Sequence, residues 1–504
     1  MSMQHDPLRA GRRLWVGIPT PELDSKTIDL LQDLQPGGVI LFRRNIASPD
    51  QVFRLTGELR ELCGDSLHIC IDQEGGRVVR FPEGVTFFPG NMSLGSWACH
   101  DLQAACESAR EQGWHTGREL SALGIDVNLA PCVDLLSSAK SRGIGSRSFG
   151  SDPQRALKLA SALGEGMRSA GVLDCWKHFP GLGRVTVDPH FGLPTTDPQG
   201  TEVDLIPFSG AEDAGAGLIM TSHVIARALD SENPVTTSCN ALKALRGNLG
   251  YSGVIMTDCL EMGGVSDQQP ADVAEGSILA GHDVLLVSHT PEIQREIHRR
   301  MVEILGSENE SHQKSLRRLD RMKDKAGLAD GSPQRSGSEV ARDICRGGVS
   351  LLKGNLPEAG LSGDWSLLLP KQFSHSPVED PRPALELEIL SELLPTVLDV
   401  RGYGSAHELR ITLEEVESLS ESPQVILAIQ GVRLQKEYQS VLDGFAHTAT
   451  AFVLLLLDDP RDLGEMPNGK GVAVLCAHGA RPLHLETLAE VLKGEIAATG
   501  GQPI

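Results

Sequence analysis

From residue 14 to about residue 290, short apolar runs alternate with amphipathic stretches, and this alternation restricts the fold more than any other feature. Runs made almost entirely of Val, Ile and Leu are typical of parallel strands that are covered on both faces. Eight such runs in series predict an α/β fold with a closed (β/α)8 TIM-like barrel; a doubly wound open sheet is the alternative. The predicted strands are Leu14–Ile18, Gly38–Phe42, Leu67–Asp72, Asp126–Ala130, Val172–His178, Leu218–His223, Val254–Asp258 and Asp283–Val287. The predicted helices between them include Gln51–Leu62, Leu102–Leu123, Gln154–Ser169 and Ala271–Ala280.

A chain of 504 residues is too long for one ordinary hydrophobic core, so a second domain is expected. Residues 331–338 are rich in Gly, Ser and Pro and are predicted to form a linker. We therefore expect the barrel in residues 1–330 and a smaller three-layer α/β sandwich in residues 339–504. Its predicted strands are Ser366–Leu369, Thr396–Val400, Val425–Ile429, Phe452–Leu457 and Val472–Cys476, and its predicted helices are Glu339–Leu352, Ala384–Leu393, Glu408–Leu419, Gln435–Ala446 and His484–Ile496.

Charge and cysteine usage exclude several classes of function. The formal net charge of −21 argues against a nucleic-acid or anionic-membrane partner. The ten cysteines show no metal-type spacing, which favours small buried residues in a reducing compartment. No apolar signal core precedes the first strand, and no apolar run is long enough to span a bilayer. A cytoplasmic protein is expected, whereas the oligomeric state and the role of the second domain are not predicted.

Polar side chains follow most of the predicted barrel strands. In a parallel barrel the carboxyl ends of the strands meet at one rim, where chemistry collects. A rim that holds cations, imidazoles and carboxylates in balance suits a polyhydroxylated neutral ligand better than a phosphate. The candidate binding residues at this rim are Asp72, Arg147, Lys177, His178 and His223.

Asp258 ends an apolar strand, and no Lys or Arg lies within ten residues on either side of it. A partly desolvated carboxylate at this place can attack an electrophilic carbon. The alternative is an N-cap for the helix that follows. Asp72 has a similar pair of interpretations, because the glycines after it suit either an exposed sugar-binding carboxylate or a turn cap.

Asp188 and His190 lie on a loop rich in Gly, Thr and Pro. Residues i and i+2 point the same way in an extended segment, so the carboxylate can bond the imidazole and orient it for proton transfer. The alternatives are a surface histidine and a metal ligand. No second cluster with ligand spacing accompanies His190, so we expect neither a metal nor a cofactor.

The chain resembles the glycoside hydrolase family 3 β-N-acetylglucosaminidases of bacterial cell-wall recycling, in their two-domain form. The resemblance spans most of the first domain and rests on a set of motifs rather than on one. The matching segments are Gly37–Asn45, Ile71–Val78, Asn128–Pro131, Arg147–Pro153, Lys177–Gly181, Met220–Val224 and Val254–Asp258, with weaker echoes at Ala341–Ile344 and Leu488–Leu492.

The resemblance implies that Asp258 is a nucleophile and that Asp188 and His190 are an acid/base dyad. It implies a retaining exo-β-N-acetylglucosaminidase that acts without a cofactor on muropeptides or chitooligosaccharides, in carbohydrate metabolism and peptidoglycan recycling. The alternatives are a β-N-acetylglucosaminide phosphorylase, a broader β-glycosidase, and a sugar-binding protein without catalysis.

The chain departs from the family pattern at Leu182 and Arg184. Family members read Lys-His-Phe-Pro-Gly-His-Gly-Asp, so a His and an Asp are replaced just before the dyad. The nucleophile and the dyad are retained, so the departure bears on loop packing and on the preferred leaving group.

Overall fold

The computed structural model describes residues 10–137, 141, 143–305, 310–327, 333–371, 388–430, 436–463, 465–469 and 471–503. Eight of its strands form a closed barrel in which every strand is paired with its neighbours in the sequence, and the first pairs with the last. All of these pairings are parallel. The barrel predicted from the eight apolar runs is therefore confirmed, and the doubly wound alternative is wrong. Its strands are β1 (Leu14–Gly17), β2 (Gly38–Leu41), β3 (His68–Ile71), β4 (Val127–Asn128), β5 (Leu173–Phe179), β6 (Leu218–Thr221), β7 (Val254–Cys259) and β8 (Val284–Val287).

Alternate residues of each strand point into and out of the barrel. Trp15 packs with Ile40, Cys70 and Met256 in the interior cluster. Val16, one residue later, belongs instead to a cluster between the strands and the surrounding helices. Because both faces of every strand are buried, the strands read as continuous apolar runs in the sequence.

Helices surround the barrel and begin at ordinary capping signals. The helix after β4 begins at Pro153, and the Asp152 carboxylate accepts hydrogen bonds of 2.9 Å from the amides of Gln154 and Arg155. None of the helices in the described part of the chain is long and apolar enough to cross a membrane. The helices of this half are α1 (Ser25–Leu34), α2 (Pro49–Cys63), α3 (Asn91–Trp97), α4 (Leu102–Ala122), α5 (Pro153–Ser169), α6 (Thr201–Asp204), α7 (Ile206–Ser209), α8 (Cys239–Lys243), α9 (Pro270–Ala280), α10 (Pro291–Ile304) and α11 (Glu310–Met322).

The second domain is a separate six-stranded sheet covered by helices on both faces. Val425 and Leu427 pack on one side, whereas Ile426 packs on the other, as the three-layer prediction requires. The spatial strand order is β9-β14-β13-β12-β10-β11, with only β9 antiparallel to its neighbour. The strands are β9 (Ser350–Lys353), β10 (Trp365–Pro370), β11 (Val397–Tyr403), β12 (Gln424–Ile429), β13 (Ala451–Leu456) and β14 (Val472–Cys476), and the helices are α12 (Gly337–Gly348), α13 (Ile389–Leu393), α14 (Ala406–Leu419), α15 (Lys436–Thr448) and α16 (Pro482–Leu492).

The junction between the two domains differs from the sequence prediction in one respect. The predicted helix Glu339–Leu352 ends at Gly348, and Ser350–Lys353 forms the edge strand β9. A helix pattern cannot reveal this change, because the apolar spacing continues into a strand that pairs with a distant segment. Helix α12 begins at Gly337, inside the predicted linker, and its Val340 packs with barrel residues. The domain boundaries themselves stay a prediction.

The second domain touches the barrel rim through the loop that follows β13. The Ser146 hydroxyl donates a hydrogen bond of 2.5 Å to Oδ1 of Asp458, and Nη1 of Arg77 lies 3.3 Å from Oδ2 of the same carboxylate. Ser146 and Arg77 belong to barrel loops after β4 and β3. A side chain of the second domain therefore supports two loops at the carboxyl ends of the barrel strands.

Candidate active site

A cavity of about 380 Å³ opens at the carboxyl ends of the barrel strands. Its lining residues come from the strand ends and the loops that follow them, where a parallel barrel carries its chemistry. They are Ile40, Phe42, Arg43, Arg44, Asp72, Arg80, Leu129, Arg147, Lys177, His178, His190, Met220, Asp258, Cys259, Met262, Leu286, Ser288 and His289. A larger and more open cleft of about 550 Å³ lies beside α4 and α12, but none of the predicted site residues lines it.

One side of the cavity is a buried network of charges. Nζ of Lys177 lies 2.7 Å from Oδ1 of Asp72 and 2.6 Å from Oε1 of Glu74. The Arg147 guanidinium holds Glu74 with two bonds, of 2.9 and 2.8 Å. Nη2 of Arg80 lies 3.4 Å from Oδ2 of Asp72. The structure thus brings together Asp72, Arg147 and Lys177, and Asp72 serves this network rather than capping a turn.

The network fixes the protonation of its members. Burial raises the pKa of Glu74, but Arg147 and Lys177 outweigh burial and hold that pKa far below its ordinary value. Burial lowers the pKa of Lys177, but the carboxylates of Asp72 and Glu74 outweigh burial and raise that pKa above its ordinary value. The acids stay negative and Lys177 stays positive at neutral pH, which gives the cavity a permanent set of oriented donors and acceptors.

His178 lies beside this network and is oriented by a buried acid. Its Nδ1 lies 2.6 Å from Oδ2 of Asp134, whose other oxygen accepts a hydrogen bond of 2.7 Å from the Leu182 amide. Burial raises the pKa of Asp134, but the His178 ring and the hydrogen bonds from Leu182 and Cys132 outweigh burial and bring the pKa below its ordinary value. This contact leaves Nε2 of His178 as the ring nitrogen available to a ligand.

Cys132 completes a compact group with Asp134 and His178. Their potential ligand atoms lie within 4.8 Å of one another, which is close enough for all three to contact one metal ion. However, the Cys132 thiol donates to Asp134 over 3.2 Å, and the same carboxylate also bonds His178 and Leu182. The hydrogen bonds already satisfy the group, and they account for the orientation of His178.

Asp258 stands at the end of β7, partly buried, and lines the cavity. Among the residues that the structure describes, its one hydrogen bond comes from the amide of Cys259, at 2.7 Å. No cation is bonded to it within that part of the chain. Asp258 does not cap a helix, because α9 begins only at Pro270.

His223 does not reach the cavity. Its side chain is fully buried, with Nδ1 2.7 Å from the Thr236 hydroxyl and Nε2 2.8 Å from the carbonyl oxygen of Cys259. Burial lowers the pKa of His223, which favours the neutral ring. His223 was predicted to contact a ligand directly; in the structure its ring instead bonds the backbone next to Asp258. Sequence reasoning could not see this, because the strand end alone does not say which way the following side chain turns.

Asp188 and His190 are hydrogen-bonded to each other on the loop after β5. Oδ1 of Asp188 lies 2.7 Å from Nδ1 of His190 and also accepts the His190 backbone amide at 3.0 Å. The pairing was predicted from an extended segment, but a turn produces it, because the Phe191 amide bonds the Asp188 carbonyl over 2.9 Å. The imidazole is 28% exposed and lines the cavity, whereas the carboxylate is 16% exposed. Nε2 is thus the ring nitrogen free to exchange a proton.

The two residues that depart from the family pattern lie at the start of this loop. Leu182 is buried in a core cluster between the barrel strands and the helices around them. Nε of Arg184 lies 2.6 Å from Oδ2 of Asp204, at the end of α6. Neither side chain lines the cavity.

Several residues of the site were not predicted from the sequence. Glu74 and Arg80 follow Asp72 within eight positions, so the run Asp72-Gln73-Glu74 carried a usable signal. Phe42 and His289 line another wall with ring centroids 5.4 Å apart, and Nη1 of Arg44 lies 3.2 Å from Nδ1 of His289. This wall joins the loops after β2 and β8, which are adjacent only once the barrel closes.

Comparison with known proteins places this geometry in a family. Residues 14–322 match the Glycosyl hydrolase family 3 N terminal domain. The β-hexosaminidase of Chromobacterium violaceum is 38% identical over 260 residues, which are 51% of this chain and 72% of that protein.

Two solved structures resemble different shares of the chain. The glycoside hydrolase family 3 β-N-acetylglucosaminidase of a Paenibacillus species superposes with a TM-score of 0.87 and 29% identity, covering 99% of this chain and 98% of its own. NagZ from Neisseria gonorrhoeae gives a TM-score of 0.56 and 32% identity, and covers 66% of this chain and 96% of its own. The likeness therefore extends through both domains in one relative and is limited to about the barrel in the other. The chain belongs to glycosyl hydrolase family 3 and is a glycoside hydrolase.

Proposed function

We propose that the protein is a retaining exo-β-N-acetylglucosaminidase. The cavity is closed below by the packed barrel interior and is at the small end of the size range for ligand sites, which suits one terminal sugar. The buried network of Asp72, Glu74, Arg147 and Lys177, with Nε2 of His178, presents donors and acceptors for the sugar hydroxyls.

One observation carries the proposal. Of the carboxylates that line the cavity or lie directly behind it, Asp72 and Glu74 are paired with cations, and Asp188 is bonded to His190. Asp258 has no such partner within the described residues, so its oxygens are available to attack carbon.

The chemistry then proceeds in two steps. Asp258 forms a bond to the anomeric carbon while the glycosidic C–O bond breaks, and protonated His190 gives its Nε2 proton to the departing oxygen. In the second step neutral His190 takes a proton from water, whose oxygen displaces Asp258 at the same carbon. Two inversions return the sugar with its original configuration. Asp188 keeps the imidazole oriented in both steps.

The substrate class rests on the relatives rather than on the cavity. The similarity to β-hexosaminidases and to a β-N-acetylglucosaminidase supports a β-linked N-acetylglucosamine as the terminal sugar. We extend this to muropeptides or chitooligosaccharides as natural substrates, with a role in peptidoglycan recycling. The cytoplasmic location stays a prediction from the sequence.

Phosphorolysis is a second candidate, and the cavity wall offers a specific reason to test it. Arg43 and Arg44 line the cavity, and neither guanidinium is bonded to a carboxylate within the part of the chain that the structure describes. Such cations can receive phosphate as the acceptor in place of water. An inactive sugar-binding protein is a third candidate, which the unpaired Asp258 disfavours.

The test compares an aryl β-N-acetylglucosaminide with the matching β-glucoside, each with and without phosphate. We expect turnover of the first substrate, little of the second, and the free sugar as product at every phosphate concentration. Asp258→Asn should lower kcat more than about a thousandfold, because the nucleophile is lost. Asp267→Asn, at an exposed site nine residues later, is the matched control and should leave kcat unchanged.

A 2-fluoro sugar with a good leaving group should add one sugar mass to Asp258. A sugar phosphate as the product would establish the second candidate instead. Wild-type activity in Asp258→Asn, together with no labelling, would reject the mechanism.

A further inference from the structure

The loop that carries the dyad, residues 181–192 (hereafter the dyad loop), is held near its start and at its tip. At its tip, the carbonyl of Pro189 accepts a hydrogen bond of 2.8 Å from the amide of Gly264, on the segment that follows Asp258. At its start, the amide of Leu182 donates to Asp134 over 2.7 Å, and the Leu182 side chain is buried. Between these points Val185 is buried, whereas Val187 is 45% exposed, and beyond Pro189 the Phe191 side chain is 74% exposed, so the part of the loop nearest the dyad has the least packing.

Arg184 adds a second anchor at the start of the dyad loop. Nε of Arg184 lies 2.6 Å from Oδ2 of Asp204, and the Ser137 hydroxyl lies 3.2 Å from Oδ1 of the same acid. The Asp204 side chain is 6% exposed and the Arg184 side chain is 27% exposed. The pair thus joins the dyad loop, α6 and the segment after β4.

Two glycines leave the room that this pair occupies. At Gly200, with φ of 86°, a Cβ atom would stand 2.5 Å from Cζ of Arg184. At Gly181, with φ of 126°, it would stand 3.0 Å from Cβ of Asp204. Both backbone conformations favour glycine, so the local chain is shaped around the Arg184–Asp204 pair.

We propose that the Arg184–Asp204 pair is a positioning element that sets where the dyad loop presents His190 to the leaving group. The proposal rests on the proposed function, because it assigns a role within the same reaction. The loop is thus bonded at Pro189 to the segment that follows Asp258, at Leu182 to Asp134, and at Arg184 to Asp204. Breaking the Arg184–Asp204 pair leaves the other two contacts in place but removes the side-chain bond that ties the stretch between them to α6.

The environment of Asp204 argues against a purely stabilising role. Burial raises the pKa of Asp204 to about 6, although Arg184 and Ser137 lower it; nearby Asp134 adds to the rise. A buried pair of this kind is commonly no more stabilising than apolar side chains of the same volume. Its place next to a catalytic loop is explained by geometry, since an ion pair fixes direction and distance where an apolar contact does not.

The test uses the dependence of the rate on the leaving group. Cleavage of a glycoside with an acidic phenol needs no proton from the enzyme, whereas cleavage of an alkyl glycoside or a disaccharide does. kcat/KM reports the first step, in which His190 acts as the acid. We expect Arg184→Ala to lower kcat/KM for the alkyl β-N-acetylglucosaminide at least tenfold more than for the dinitrophenyl glycoside. Arg184→Lys should recover part of the difference.

The matched control is Arg227→Ala. Arg227 pairs with Asp197, five residues after the dyad loop, at 3.7 Å, and the two side chains are 53% and 86% exposed. This variant should behave as wild type on both substrates. If Arg184→Ala does not fold, Asp204→Asn keeps the shape of the side chain and should show the same preference in a weaker form.

Equal losses on the two substrates, or no loss, would overturn the proposal while leaving the proposed function intact. If the wild-type enzyme cleaves neither glycoside, the proposed function fails and the positioning role fails with it. The two failures are therefore distinguished by the wild-type rate alone.

Discussion

The two sides of the cavity are built in opposite ways. The binding side consists of Asp72, Glu74, Arg147 and Lys177, whose side chains are at most 12% exposed and bonded to one another. The catalytic side consists of the Asp188–His190 dyad on a loop, with the imidazole 28% exposed. The first arises from strand ends and buried loops, and the second from a turn that is anchored at its ends.

This difference follows from what each side must do. Groups on the binding side keep one charge state, so they can be buried and paired at no cost to turnover. A group that gives up and regains a proton in each cycle needs contact with the leaving group and with water, which excludes full burial. Burial raises the pKa of Asp188, but the hydrogen bonds from His190 outweigh it and keep the carboxylate negative. The same residue pair can thus orient the ring without fixing its protonation.

The largest expected effect is on the binding side. Glu74→Gln removes one of the two buried acids and leaves Arg147 and Lys177 to share the remaining charge of Asp72. We expect a loss of about 3–5 kcal/mol in the free energy of unfolding, measured with urea, and the loss of sugar binding. The control is Glu165→Gln, which breaks an exposed pair with Arg110 at 3.0 Å and should cost less than about 1 kcal/mol. Equal effects of the two variants would contradict the distinction between the two sides.

The catalytic side should show the reverse pattern. Asp188→Asn removes the charge that orients His190, while a partly exposed loop tolerates the change. We expect kcat to fall about tenfold to a hundredfold, with a free energy of unfolding within about 0.5 kcal/mol of wild type. Thermal unfolding and steady-state rates on the same preparations check both statements. A stability loss as large as that of Glu74→Gln would show that the dyad is part of the core.

These two sides also differ in how far the sequence predicts them. The barrel strands can be predicted because both of their faces are buried, which makes them continuous apolar runs. Asp258, Asp188 and His190 can be predicted because they stand in sequence motifs that resemble those of the family. The pairing of Glu74 with Arg147 joins residues 73 positions apart on different loops, and a closed barrel must exist before they can meet. The same holds for Arg184 and Asp204, and for the inward turn of His223. The residue types at each strand end can be read from the sequence. Which side chains pair across the rim can be known only from the three-dimensional arrangement.

A smaller effect is expected where the second domain supports the binding side. Asp458→Ala removes the carboxylate that holds Ser146 and Arg77, next to Arg147. We expect KM to rise about tenfold, equivalent to about 1.4 kcal/mol, with kcat nearly unchanged, because binding geometry loosens while the dyad is untouched. Asp364→Ala, at an exposed site of the second domain, is the control and should not change KM. A fall in kcat without a rise in KM would place the influence of the second domain on the catalytic side instead.

The smallest expected effect concerns stability at the start of the dyad loop. The pKa of Asp204 in the folded protein is raised to about 6 from an ordinary value of 3.8, so the folded state holds a proton that the unfolded state has lost between these values. Folding therefore becomes less favourable as the pH rises through this window, by at most about 3 kcal/mol when the window is passed. Asp204→Asn resembles the protonated acid and removes this cost, in which the attraction of Arg184 for the carboxylate is already included. We therefore expect the variant to be more stable than wild type at pH 7.5, by no more than this amount, and its free energy of unfolding to fall less steeply than that of wild type between pH 4 and 6. Urea unfolding at both ends of the window checks the sign, and a variant that is less stable than wild type at pH 7.5 would mean that the Arg184–Asp204 pair is retained for stability rather than for the position of His190.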